Sequence, residues 1–373
     1  MQVTRVEFVH LAAELAAPMR SRGNVGYTEF FHTGSERQRL TAVELHTDSG
    51  IVGRTLLGGH AGQFVQEIAT PSLLGQDPRG IRHWRRRIQD RLSACPEEQR
   101  RASRGAVNRL EFALWDLAAQ GAGLPLFRYL GGTDPAVSVY AGGGSLCWNP
   151  LPLLEEETDR LLEQGFRAFK IKVGHGPEED AAIVRTLRRR APQARIMVDA
   201  NRAYDLPGAL QFARVLEEEQ AGWFEEPFVY DDPALWRSLR TATPVRVSGG
   251  EGFHQLRQVS EALRDGIVEI LQCDAGGFGL EGLLSIASLA AEADVALTPH
   301  SCNSAIGFVV ACHLQRALPN HELQEFETFD NPFIHSIFAE PFALQDGCVV
   351  LPEAPGLGVT WNRETIEQYR VVQ

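Results

Sequence analysis

Lysine is almost absent from this chain of 373 residues: Lys170 and Lys172 are the only two, and every other basic side chain apart from histidine is arginine. Basic residues are also scarce relative to acidic ones, 36 against 48, for a formal charge of −12. That balance excludes the positive surface on which nucleic acids and anionic membranes are bound. No apolar run reaches the roughly 20 residues that span a bilayer, and no secretory signal pattern opens the chain. A soluble, cytoplasmic protein without a membrane or nucleic-acid partner is the expectation. The six cysteines (Cys95, Cys147, Cys273, Cys302, Cys312 and Cys348) show no CxxC spacing, which excludes the usual zinc motifs and fits reduced thiols better than a disulfide frame.

The two lysines stand in Ala-Phe-Lys-Ile-Lys-Val-Gly, from Ala168 to Gly174. The period of two places both ammonium groups on one face of a strand and Phe169, Ile171 and Val173 on the other. A solvated edge strand is the plain reading. In a chain that otherwise uses arginine, though, two lysines together point to a need for an amine that can give up its proton, which guanidinium cannot do.

Strand patterns at 3–15, 39–47 and 51–57, with a tight turn at Asp48-Ser49-Gly50, predict a small antiparallel meander. Between its first two strands lies a long loop, Ala17 to Gln38, holding three glycines, Tyr27, Phe30 and Phe31. Loops of this length are usually functional, so this one is expected to be a lid, with Tyr27 as a substrate-binding residue. Helices are predicted at 63–70, 79–92 and 106–120, the last from the stripe Val107, Leu110, Ala113, Leu114 and Leu117. Residues 1–132 therefore read as an α+β domain.

After Gly132 a regular beat begins. Eight short apolar strands, at 137–140, 168–173, 195–198, 222–224, 245–247, 268–272, 295–298 and 322–325, alternate with helical stretches. This is an α/β pattern, that of a parallel barrel whose active site lies at the C-terminal ends of its strands. Those ends carry Lys170 and Lys172, then Asp199 and Asn201, Glu225 and Glu226, Glu251, Asp274, His300 and Glu325. A single such carboxylate is most simply a helix cap; seven successive strands ending this way are not. Asp199, Glu225 and Glu251, on three neighbouring strands, cannot all stay ionised without a cation, and all-oxygen ligation points to Mg²⁺. Glu226 competes with Glu225, but strand alternation turns it away and Pro227 is expected to keep it extended. Asp274 and His300, on adjacent strand ends, suit a hydrogen-bonded pair that raises the basicity of the imidazole.

Together the segments Leu114-Trp115-Asp116-Leu117-Ala118 through Leu130-Gly131-Gly132, Lys170-Ile171-Lys172, Val198-Asp199-Ala200-Asn201, Phe224-Glu225-Glu226-Pro227, Gly250-Glu251, Cys273-Asp274 and Pro299-His300 resemble the enolase superfamily, in particular its mandelate racemase subgroup. The resemblance implies a (β/α)7β TIM-like barrel (133–330) and an α+β capping domain made by the N-terminal region (1–132) and a returning C-terminal segment (331–373). It implies Asp199, Glu225 and Glu251 as Mg²⁺ ligands and Lys172 as the base on one face of the substrate. Lys170 would be a cation at the substrate carboxylate, and the Asp274–His300 pair the base or acid on the other face. Glu325 would be an acid hydrogen-bonded to the carboxylate, and Asn201 a polar neighbour of the bound hydroxy acid. Muconate cycloisomerase-like, succinylbenzoate synthase-like and dipeptide epimerase-like relatives carry a lysine on the sixth barrel strand; no lysine follows Lys172 here.

The expected reaction begins with removal of the proton α to a carboxylate, giving an enediolate stabilised by the metal, Lys170 and a protonated Glu325. Two lysines about 7 Å apart repel by about 2–3 kcal/mol, which is expected to bring one amine toward neutrality. Loss of a β-hydroxyl would then yield a 2-keto-3-deoxy acid, the favoured outcome being dehydration of an aldonic or aldaric acid. Reprotonation would make the protein a racemase or epimerase of a 2-hydroxy acid, and a non-catalytic binding barrel is the remote alternative. A small hydroxy-carboxylate substrate and a homo-oligomeric assembly complete the expectation.

Overall fold

The computed structural model describes residues 1–14, 37–59, 65–142, 151–301, 304–328 and 330–371. The loop expected to be a lid, with Tyr27, lies outside them except for its last two residues, Arg37 and Gln38, which already belong to a strand.

The meander is β1 (Val3–Glu14), β2 (Arg37–Thr47) and β3 (Val52–Gly58), with β2 central. Register pairs Val43 with Phe8 and with Thr55, so Val43, Leu45 and Leu57 share one buried face. That face packs on Trp84, Ile88 and Leu92 of α1 (Ile81–Ser93) and on Val107, Leu110, Leu114 and Leu117 of α2 (Glu97–Gly121). The opposite face, with Leu11, Ala13, Ala42 and Leu56, joins the main core. Helix α2 starts at Glu97, nine residues before the predicted Ala106. Its first turns read Glu-Glu-Gln-Arg-Arg, so no apolar stripe marks them; Pro96 and the acidic first turn set the start instead.

Helix α2 ties several parts together. Gly53 of β3 lies against it so closely that a Cβ there would strike the carbonyl of Ala113. Asp116 accepts hydrogen bonds from Arg54 N (3.0 Å) in β3 and Leu357 N (2.8 Å) in the C-terminal segment. Glu111 accepts from Glu281 N (2.7 Å), in a barrel helix.

Eight parallel strands form the barrel: β4 (Ala136–Gly142), β5 (Ala168–Lys172), β6 (Arg195–Asp199), β7 (Phe224–Glu225), β8 (Val247–Gly249), β9 (Ile270–Leu271), β10 (Ala296–Leu297) and β11 (Gln324–Glu327). They are neighbours in chain order, β11 pairs with β4, and a bridge between Leu297 and His321 closes the circle. Seven helices connect them: α3 (Leu151–Glu163), α4 (Pro177–Arg190), α5 (Leu206–Glu218), α6 (Pro233–Ala242), α7 (Leu256–Arg264), α8 (Ala275–Glu292) and α9 (Ala305–Gln315). This is the expected (β/α)7β barrel. A separate buried cluster of Tyr140, Ala168, Met197, Trp223 and Ile270, one side chain from each of five strands or their edges, fills the space beneath the mouth as such barrels require.

The C-terminal segment divides. Hairpin β12 (Leu344–Gln345) and β13 (Cys348–Val350) pairs antiparallel with the first half of β4. Helix α10 (Arg363–Tyr369) and its flanks reach the meander, through the Leu11–Arg370 bridge and the bond from Val371 N to His10 O (2.8 Å), and Asn331 Nδ2 donates to Gln38 Oε1 of β2 (2.8 Å). Among the described residues no helix is long and apolar enough to cross a membrane.

Candidate functional site

Parallel register sets the site. Lys172 is the register partner of Asp199, and Asp199 of Glu225; farther round, Asp274 and His300 are joined by a parallel bridge. The strand ends therefore deliver their side chains to one mouth, as their roughly equal spacing in sequence predicts.

Lys170, buried, has its Nζ 2.9 Å from Glu225 Oε1, 3.3 Å from Glu325 Oε1 and 3.7 Å from Asp199 Oδ2. Lys172 pairs with Asp199 Oδ2. On the far side His300 Nδ1 lies 3.2 Å from Asp274 Oδ2, while its Nε2 lies 3.3 Å from Glu251 Oε2 and 3.6 Å from Glu325 Oε2. Lys172 thus sits at one end of the row Asp199–Glu225–Glu251 and His300 at the other.

Burial alone would discharge these groups; their neighbours decide otherwise. Burial pushes Asp199 up, yet the two lysines hold its carboxyl below the usual range. Glu225 is raised, first by burial and then by Asp199 and Glu251. Burial pulls His300 down, but Glu251, Asp274 and Glu325 outweigh it and push the imidazole up to about 10. Two expectations change here. Of the two amines, one of which was expected to approach neutrality, Lys170 does not: although burial favours its neutral form, Glu225, Glu325 and Asp199 carry its pKa well above the ordinary lysine value. Glu325 is not favoured in its protonated form either, because Lys170 and His300 overcome burial and hold it below the usual carboxylate range.

A third correction concerns Glu226. Its backbone is not extended but left-handed, with φ +40°. Its carbonyl accepts from Arg202 N (2.7 Å), and its carboxylate is drawn to Arg202 (2.9 and 2.8 Å) and to the hydroxyl of Tyr230 (2.7 Å). Burial and the charge of Glu251 raise its pKa, against the pull of Arg202.

The donor set suits a hard divalent cation. Asp199, Glu225, Glu251 and Glu325 outnumber the ammonium groups of Lys170 and Lys172 beside them. The oxygen atoms of Asp199, Glu225 and Glu251 are nevertheless not gathered within 4.8 Å of one another; among the described residues such close donors occur at Glu7, Glu44 and His46 on the meander. There Arg5 pairs with Glu7, and Arg54 and Arg363 with Glu44, so arginines already neutralise it. Asn201 (φ +43°) donates its backbone N–H to Asp199 Oδ1 (2.9 Å), and its buried side-chain oxygen has no hydrogen-bond partner among the described residues.

Residues not foreseen support this row. Trp223 Nε1 (3.2 Å) and Gln272 Nε2 (2.7 Å) both donate to Glu225 Oε2, and Lys170 lies over the ring of Tyr140 at 5.5 Å. Trp223 stands two residues before Glu225 and Gln272 two before Asp274, so strand alternation marks both as the layer beneath the mouth.

Comparison with known proteins bears on this arrangement. Residues 27–131 match the mandelate racemase / muconate lactonizing enzyme N-terminal domain, and residues 153–365 match the enolase C-terminal domain-like family. The chain is similar to D-galactarolactone cycloisomerase of Agrobacterium fabrum, 30% identical over 90% of this chain and 92% of that one. It is similar also to arabinonate dehydratase of Saccharolobus solfataricus, 28% identical over 89% and 90%. Among solved structures, L-talarate dehydratase of a Polaromonas species, complexed with Mg and L-glucarate, superposes with a TM-score of 0.83 at 26% identity, over 100% of this chain and 98% of that one. With both family domains matched along most of its length, the chain belongs to the mandelate racemase / muconate lactonizing enzyme family of the enolase superfamily.

Proposed function

We propose that this protein removes the proton α to the carboxylate of an acid sugar and then eliminates the β-hydroxyl as water, giving a 2-keto-3-deoxy acid. The observation that supports it is the placing of two bases, Lys172 against Asp199 and His300 against Glu251, at opposite ends of one row of carboxylates. Asp199, Glu225 and Glu251 would hold Mg²⁺. When bound, the ion supplies Lewis-acid stabilisation of the charge that develops on the substrate carboxylate.

The chain's own residues do the rest. Lys170 places a buried positive charge beside the row, where low polarity strengthens its effect on a developing oxyanion. Asp274 accepts from His300 Nδ1 and so fixes the ring with Nε2 toward the interior. One of Lys172 and His300 takes the α-proton, and the other protonates the departing hydroxyl. The unpaired oxygen of Asn201 is an acceptor for a substrate hydroxyl. A second reading follows from the likeness to D-galactarolactone cycloisomerase: the same proton abstraction, with a ring-bound oxygen rather than water as the leaving group.

Wild type and the variants Lys172→Ala and His300→Asn should be incubated with aldonates, aldarates and their lactones in D₂O. Keto-acid formation and α-deuteration are then followed separately. Dehydration predicts keto acid from an open-chain acid, with one variant losing exchange and turnover alike. Epimer without keto acid would mark a racemase, and no exchange with any acid would refute the reading.

A further inference from the structure

Beside the row of carboxylates lies a second polar assembly. Arg202 holds Glu226 with a two-pronged grip, and Tyr230 donates its hydroxyl to Glu226 Oε1 (2.7 Å) while accepting from the backbone N–H of Gly250. These residues follow three consecutive barrel strands: Arg202 follows β6, which ends in Asp199; Glu226 follows Glu225 of β7; and Gly250 follows β8 and precedes Glu251. The backbone is left-handed at Asn201, Arg202, Glu226 and Gly250, with φ of 43°, 69°, 40° and 119°. Three of these four are not glycine, a cost that persists only where surrounding contacts fix the conformation.

The surroundings are built to fix it. The ring of Tyr230 is stacked on Trp236 (centroids 5.0 Å apart), tilted against Phe253 (4.6 Å) and covered by Arg202 (5.3 Å). A Cβ at Gly249 would lie 2.6 Å from the Tyr230 hydroxyl, and one at Gly252 would lie 2.6 Å from Arg202 Nη2. Gly249 and Gly252 therefore leave the space into which this assembly fits.

We propose that Arg202 and Tyr230 are positioning residues which, through Glu226, lock the ends of the three strands together and so set where Glu251 stands relative to Asp199 and Glu225. The inference rests on the reading of those three carboxylates as metal ligands. Glu226, gripped by Arg202 and Tyr230, acts as the rivet. Groups that orient ligands in this way typically contribute 10- to 100-fold to metal affinity.

The test is titration of the full-length protein, freed of divalent cations, with Mg²⁺ alone in a calorimeter, using wild type, Tyr230→Phe, Arg202→Lys and Asp199→Asn. Tyr230→Phe removes one hydroxyl and keeps the ring. Arg202→Lys keeps the charge but loses the planar fork. Each is expected to weaken Mg²⁺ binding about tenfold or more, with thermal midpoints within a few degrees of wild type. If Asp199→Asn loses Mg²⁺ binding while both other variants bind within twofold of wild type, the positioning role is overturned and the ligand assignment stands. A loss of affinity that appears only where the midpoint has collapsed assigns a structural role instead and also overturns it. If Asp199→Asn binds Mg²⁺ as wild type does, the ligand assignment fails and this inference fails with it.

Discussion

Gln272 Nε2 donates to Glu225 Oε2 at 2.7 Å, the same oxygen that receives the indole N–H of Trp223, while Lys170 takes Oε1. The carboxylate in the centre of the row is thereby fixed from below by two neutral donors, with its other oxygen paired to Lys170. Gln272→Leu removes one donor at similar volume. It should raise the Mg²⁺ dissociation constant by about tenfold and leave the far-ultraviolet circular dichroism unchanged. An unaltered constant by calorimetry would show that Trp223 alone suffices.

Lys170→Met takes one cation out of a buried cluster that already has an excess of carboxylates. An uncompensated buried charge costs about 3–5 kcal/mol, so the cation-free variant should melt well below wild type. Because the ion then replaces a missing positive charge, saturating Mg²⁺ should raise its midpoint more than it raises that of wild type. Equal shifts in differential scanning fluorimetry would count against a metal at this row.

His313 gives a pH prediction independent of the mouth. Fully buried in α9, its Nδ1 accepts from Phe127 N (3.0 Å) and its Nε2 donates to Leu357 O (3.2 Å). Burial lowers its pKa to about 4 against the bond to Leu357. Above about 6.5 it is neutral in folded and unfolded chains alike, so its contribution is fully present. As pH falls from 6.5 toward 4 only the unfolded chain takes up the proton, and about 3 kcal/mol of stability is lost. The stability advantage of wild type over His313→Gln, from urea denaturation, should therefore shrink across that window and be constant from pH 7 to 8.

Gly356 has φ +81°, and a Cβ there would collide with the side chain and carbonyl of Asp116. Gly356→Ala combines a left-handed cost of about 1–2 kcal/mol with that collision. A loss of at least about 2 kcal/mol by chemical denaturation is expected. Gly50, also left-handed but with nothing near its Cβ, should lose only the conformational part when replaced by alanine.

The strand-end residues were legible because period-two alternation and regular spacing suffice to say which side chains meet at a barrel mouth. Register aligns Lys172 with Asp199 and Glu225, and Asp274 with His300. Charge state was not legible, since it depends on distances between strands: the proximity of Lys170 to three carboxylates, and not its neighbour Lys172, decides its proton. The left-handed turn at Glu226 escaped for a similar reason. Local preference before proline argues for extended backbone, but a guanidinium and a phenol, 24 positions upstream and four downstream, pull the chain elsewhere. Trp223 and Gln272 left a signal, their two-residue offset from strand-end acids, but an apolar and an amide side chain do not announce themselves as hydrogen-bond donors to a site.

Helix α2 packs its length against the meander on one side and reaches the barrel at Gly277 and Glu281 on the other, through Asn108 and Glu111. A chimera that exchanged the region before the barrel between two homologues would inherit this helix from one parent and its partners on α8 from the other. A crossover before Glu97 would instead separate α2 from β3, where Gly53 leaves no room for a differently shaped helix. Recombination between members of this fold should therefore succeed only where both surfaces of α2 are carried over together. New specificities in such chains are then more readily gained by replacing loops than by exchanging whole halves.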